Sequence, residues 1–142
     1  SQAATHTERL LTTIAQEHKL DRSRARQLVS RYGSRAKSIA EALAGGETFL
    51  ASLPEFSREE IAFVSNTELV LHAEDFLFGR SSVFMERPLR HAALRELVET
   101  MAAFRGWDAA KQSAELGRLV DRYRRLHRID ISAATAPHPS FI

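Results

Sequence analysis

The 142 residues carry 20 Lys and Arg against 18 Asp and Glu, with 44% hydrophobic and 27% charged residues. That composition belongs to a folding domain and excludes an intrinsically disordered chain. A surplus of two positive charges is a weak signal for polyanion binding, and the absence of cysteine excludes disulfides and thiolate metal sites. No apolar run approaches the roughly 20 residues that span a bilayer, and the N-terminal Ser-Gln-Ala-Ala-Thr-His-Thr-Glu has no signal-peptide core. With no initiating Met, the chain is expected to be a processed product or a piece of a longer one.

From about Thr5 to Glu17, Leu10, Leu11 and Ile14 recur at helical spacing. Asp21 is placed to cap a second helix that carries Leu28, Val29 and Tyr32 and stops at Gly33. Ser34 is the expected cap of a third, with Ala36, Ile39, Ala40 and Leu43 on one face and Gly45-Gly46 as its end. A connection through Phe49, Leu50 and Leu53 reaches Pro54.

Ser57 to Glu60 has capping-box spacing, with Phe56 placed to staple onto Ile61. At 100° per residue, Ile61 and Val64 share a face with Glu68 and His72, whereas Leu69, Ala73, Phe76 and Leu77 share another. The apolar stripe changes phase, so the helix is expected to break between Asn66 and His72. Ser81 to Arg87 reads as an extended connection, and Pro88 as a first-turn helix residue.

Leu89, Ala93, Leu97, Met101 and Phe104 then mark a long helix ending at Gly106. Asp108 is placed to cap a last one with Gln112, Leu116, Leu119, Val120, Tyr123 and Leu126 along one side, weakened by about 1 kcal/mol at Gly117. From about residue 128 onward the composition predicts a flexible, irregular tail. With no sustained alternation bounded by hairpin turns, the expected architecture is all-α: a single compact bundle of about six helices, one domain over residues 1–127.

The chemistry-bearing candidates gather in Glu68 to Arg80. Glu68 and His72 stand at i, i+4 with Asp75 three residues on, which would align three metal ligands only on one continuous helix. The phase change argues against that site, and no Glu-x-x-His exists elsewhere to complete a bundle metal site. The favoured expectation is structural: Glu68 and Asp75 as internal ion-pair partners, Asp75 substantially buried and paired with Arg80 or another arginine. No residue is assigned to catalysis, cofactor or metal. The arginine-rich runs Arg22 to Lys37 and Arg118 to Arg128 read as solvated faces of amphipathic helices, and Trp107 and the Phe49 to Phe56 region as packing. Neither Gly-x-Gly-x-x-Gly nor Gly-x-x-x-x-Gly-Lys is present to cradle a nucleotide phosphate.

Laid out in order, these residues resemble the C-terminal helical domain of FAD-dependent, quinone-linked glycerol-3-phosphate dehydrogenases. Leu28 to Gly33 is similar to the family's Leu-x-x-x-Tyr-Gly, and Arg58 to Val64 to its Glu-Val/Leu-x-Tyr-x-Val segment. Glu68, Glu74, Asp75, Leu77 and Arg80 fall on its His-Glu and Glu-Asp-x-Leu-x-Arg-Arg positions, and Met101 with Gly106-Trp107-Asp108 on Met-Ala-x-x-x-Gly-Trp-Asp. The resemblance covers about residues 25–115. Thr67 stands where the family has His, Gly79 replaces the first arginine of the pair, and His72 lies where a capping Thr is frequent.

The resemblance implies an accessory domain without catalysis of its own, packed against the flavin and substrate domains of the same polypeptide. It also implies FAD in the parent, oxidation of glycerol 3-phosphate to dihydroxyacetone phosphate, and a cytoplasmic location with peripheral attachment at the inner membrane face. The alternative is a stand-alone helical interaction module that binds an acidic partner. Nucleic acid is not an expected partner.

Overall fold

The structure is a computed structural model that describes residues 2–67, 72–80 and 83–127. Among them the regular elements are helical, in the order α1 (Gln2–Glu17), α2 (Arg22–Tyr32), α3 (Ala36–Ala42), α4 (Arg58–Thr67), α5 (Ala73–Arg80), α6 (Val83–Glu86), α7 (His91–Arg105) and α8 (Ala109–Leu126). The all-α expectation holds. The helices gather in two compact units, Ser1–Thr48 and Phe49–Ile142. The residues of the expected tail lie outside the described set.

In the first unit, α1 buries Leu11 and Ile14 against the α2 and α3 faces formed by Ala25, Leu28, Tyr32, Ala36, Ile39 and Ala40. Helix α1 stops because Lys19 turns to a positive φ of 54°, which lets the Leu20 N–H donate back to the Ala15 carbonyl at 3.2 Å. Asp21 caps α2 as expected, its carboxylate accepting the Ser23 N–H at 3.2 Å. Gly33, at φ 59°, ends α2. Ser34 does not cap α3: it sits inside a 3-10 turn, Gly33–Arg35, that runs directly into α3. Helical backbone on both sides leaves no non-helical cap position there.

The second unit opens with a tight loop in which Leu50, Leu53 and Phe56 are buried and the Leu50 N–H donates to the Phe56 carbonyl at 3.0 Å. Ser57 then caps α4, its hydroxyl accepting the Glu60 N–H at 3.1 Å. Helices α4 and α5 are separate elements with a bend at His72, which is the break that the phase change predicted.

Two expectations between α5 and α7 fail. Residues 83–86 form one helical turn, α6, where an extended connection was expected. Pro88 precedes α7, whose first helical residue is His91 after an extended Arg90. Arg90 is extended at the N-cap, and the Leu89 N–H before it is held by the Tyr123 hydroxyl of α8 at 2.8 Å. Helix α7 supplies the centre of the core through Ala93, Leu94, Leu97, Val98 and Met101, and ends at left-handed Gly106. Asp108 caps α8 by accepting the Lys111 N–H at 2.8 Å. Rings of Phe56 and Phe76, 5.2 Å apart, pack the opening loop of the unit against α5.

Candidate functional site at the start of α5

Helix α5 has eight residues and includes Gly79, so little of its stability is intrinsic. It buries Ala73, Phe76 and Leu77. These fall within about 100° on a helical wheel, and Asp75 falls nearly opposite them. Asp75 is accordingly exposed, where a substantially buried acid was expected; its expected pairing with Arg80 falls on a side chain outside the described residues. Among the described residues no side chain pairs with it. Glu68 and the side chain of Arg80 lie outside the described residues. Glu74 is the acid of the motif that turns inward, reaching Arg122 of α8 at 3.6 Å.

His72 is engaged elsewhere. Its Nδ1 lies 2.6 Å from Oε2 of Glu115 on α8, while the other Glu115 oxygen accepts the backbone N–H of Ala73 at 2.8 Å. Lys111 and Arg118, one turn either side of Glu115, approach Oε2 at 3.2 and 3.9 Å. Glu115 is completely buried. Burial is the largest single influence on its carboxyl and pushes the pKa up; the bonds from His72, the Ala73 N–H and Lys111, with the nearby His72 charge, together outweigh it and hold the pKa below the ordinary glutamate value. The group is a carboxylate cap for a short helix, supplied from another helix. His72 and Asp75 therefore do not converge on a metal, and no cluster of three metal-ligating side chains occurs among the described residues.

The same device recurs through the unit. Glu96 of α7 receives the Ala51 and Ser52 N–H groups at 3.0 and 2.7 Å. Arg87 forks onto Glu55 at 2.6 and 2.8 Å, and that bond is the main reason its guanidinium is held still more firmly protonated. Arg105 donates to the Ser65 carbonyl at 3.2 Å near the end of α4. Guanidinium groups also cover two rings, Arg122 over Phe78 at 4.9 Å and Arg58 over Phe104 at 5.5 Å.

Glu115 and Glu96 were not singled out in the sequence, and Tyr123 was placed on the apolar side of α8 without a role for its hydroxyl. The signal for Glu115 was its position four and eight residues before Leu119 and Tyr123, an acid inside an apolar stripe. Among the early basic residues, Arg22 and Arg26 meet Glu8 at 2.7 and 3.6 Å, Lys37 meets Glu17 at 3.8 Å, and Arg24 forks onto Glu47 at 2.6 and 3.1 Å with both side chains over 90% buried. These ion pairs lie within the first unit.

Residues 3–112 match the family described as the C-terminal domain of alpha-glycerophosphate oxidase. The chain belongs to this family. The alpha-glycerophosphate oxidase C-terminal domain is by its description one part of a larger enzyme, which makes other domains of the same polypeptide its neighbours. The chain is also similar to glycerol-3-phosphate dehydrogenase 2 of Mycobacterium bovis and of two strains of Mycobacterium tuberculosis, 31% identical in each case over 103 residues. The match covers 70% of this chain and 18% of each relative. No solved structure matches. The family match ends at residue 112, inside α8 and three residues before Glu115.

Proposed function

We propose that this chain is the C-terminal helical domain of an FAD-dependent glycerol-3-phosphate dehydrogenase, without catalysis of its own, packed against and stabilising the flavin-bearing part. The parent would oxidise glycerol 3-phosphate to dihydroxyacetone phosphate and pass the electrons through FAD to a quinone. The family match over residues 3–112 carries the reading. The similarity to glycerol-3-phosphate dehydrogenase 2 directs it to the dehydrogenase reaction.

The described residues do not fit FAD. A dinucleotide needs a strand running through a glycine-rich turn into a helix N-terminus. The glycines with positive φ here, Gly33, Gly46 and Gly106, lie at helix ends and a turn, and the described extended pairing is the isolated bridge of Phe49 with Ser57. The flavin is therefore assigned to the remainder of the polypeptide. A quinone acceptor dissolves in lipid, which supports a cytoplasmic parent attached peripherally at the inner membrane face. Among the described residues no helix is long and apolar enough to cross a membrane.

The stand-alone interaction module is not favoured, because the family match and the similarity to glycerol-3-phosphate dehydrogenase 2 both point to a part of a larger enzyme. The full coding sequence tests the proposal: a Gly-x-Gly-x-x-Gly unit upstream in the same frame is expected, and a reading frame that lacks one would remove the accessory-domain reading.

A further inference from the structure

Among the described residues four large apolar side chains are exposed: Met85 by 74%, Leu126 by 52%, Phe49 by 44% and Phe104 by 37%. They do not have equal settings. The Phe104 ring is covered by the Arg58 guanidinium, and Phe49 is the residue whose backbone bridges to Ser57. Met85 and Leu126 instead flank one ring cluster. The Phe84 ring, beside Met85 in sequence, meets Phe78 edge-on at 4.8 Å and lies 6.3 Å from the ring of His127, the residue after Leu126. His127 in turn stacks on Tyr123 at 4.3 Å, so α6 and the last turn of α8 form one edge of the unit. Half-exposed arginines border it along α8, with Arg118 53%, Arg122 38% and Arg125 56% exposed at the side chain.

An apolar centre of Met and aromatic rings bordered by arginines is a composition that interfaces favour over ordinary surface. We propose that this edge is the face on which the flavin-bearing part of the same polypeptide docks, presenting an apolar patch bordered by carboxylates. This rests on the C-terminal-domain reading above. The occupant follows from size and charge. The chain spans 18% of the length of the relatives it matches, so in a polypeptide of that kind most of the available surface is the preceding part. The basic rim selects an acidic border on it. Interfaces between domains of one chain bury roughly 600–1,500 Å², so Met85 and Leu126 would be the centre of a larger contact.

The test uses the full polypeptide with its flavin bound, as wild type and as Met85→Glu, Leu126→Glu and Phe104→Glu, with Met85→Ser as a milder change. Limited proteolysis at the junction before this domain is timed. Unchanged helical circular dichroism of each variant shows that the domain remains folded. Met85→Glu and Leu126→Glu should release the domain about tenfold faster, the change produced by about 1.4 kcal/mol of lost docking energy, Met85→Ser should act in the same direction, and Phe104→Glu should match wild type. Release by Phe104→Glu alone would overturn the assignment of this face and leave the proposed function standing. A shift in oligomeric state with no change in proteolysis would assign the edge to a second copy and overturn it likewise. A full polypeptide without a flavin domain would remove both.

Discussion

Glu115, fully buried on α8, accepts a 2.8 Å hydrogen bond from the backbone N–H of Ala73, the first residue of α5. Through the same carboxylate it holds His72 at 2.6 Å, so one side chain closes both the bend and the helix that follows it. Replacing Glu115 with Ala strands a buried N–H and the cations around the carboxylate. Breaking a buried pair from one side costs about 3–5 kcal/mol, and urea unfolding of Glu115→Ala should read a loss of that size. Glu115→Gln keeps an acceptor for Ala73 and should cost less, about 1–3 kcal/mol.

The pH dependence follows from the same group. Its folded pKa is depressed below the ordinary value of 4.5. The folded state therefore binds this proton less readily than the unfolded one. The stabilisation is fully present above about pH 4.5 and is lost as pH falls through the folded value. Urea midpoints measured from pH 6 down to pH 3 should show a drop that is shallower in Glu115→Gln; identical slopes would mean that Glu115 carries no such linkage.

Asp75 offers the opposite test. It points to solvent, and no partner for it occurs among the described residues. Asp75→Asn should change stability by no more than about 0.5 kcal/mol. A loss of about 3–5 kcal/mol would instead reveal the buried ion pair that the sequence led us to expect.

Gly79 and Gly117 are exposed residues of α5 and α8, and a Cβ built on either meets no atom within 4 Å. Substituting Ala removes the entropic disadvantage of glycine in a helix. Each change should stabilise by about 0.5–1 kcal/mol, seen as a higher melting temperature.

Tyr123 is buried, and its hydroxyl is the acceptor for the Leu89 N–H just before α7. Tyr123→Phe keeps the ring stacked on His127 and leaves that buried N–H unpaired, which should cost about 1–3 kcal/mol. The hydrogen exchange of the Leu89 amide should accelerate, while a Tyr123→Phe protein that exchanges like wild type there would contradict the role.

Local rules were legible in the sequence wherever the cap and the capped group are neighbours. Asp21, Ser57, Gly106 and Asp108 do what their spacing predicted. The break before α5 was legible too, because a change of hydrophobic phase is a property of a short window. The expectation failed for Asp75, where the identity of the neighbours, Phe76 and Leu77, was taken for burial although the helical angle turns the acid away from them. It also missed what Glu115, Glu96 and the Tyr123 hydroxyl bond to. Each satisfies a backbone N–H more than 30 residues away, and that pairing exists only once α7 and α8 are in place. The expected stripe of α8 included Leu119 and Tyr123, which are buried, and Leu116, while the helix buries Glu115 beside them.

The central claim, that this domain is the helical accessory part of an enzyme whose flavin is held elsewhere in the polypeptide, is tested most directly by flavin absorbance under anaerobic glycerol 3-phosphate. The full polypeptide should carry a bound flavin that the substrate bleaches, and the 142-residue chain, purified in the same way with added FAD, should bind none. Flavin retained and bleached by the 142-residue chain alone, or a full polypeptide that neither binds flavin nor responds to the substrate, would contradict the account.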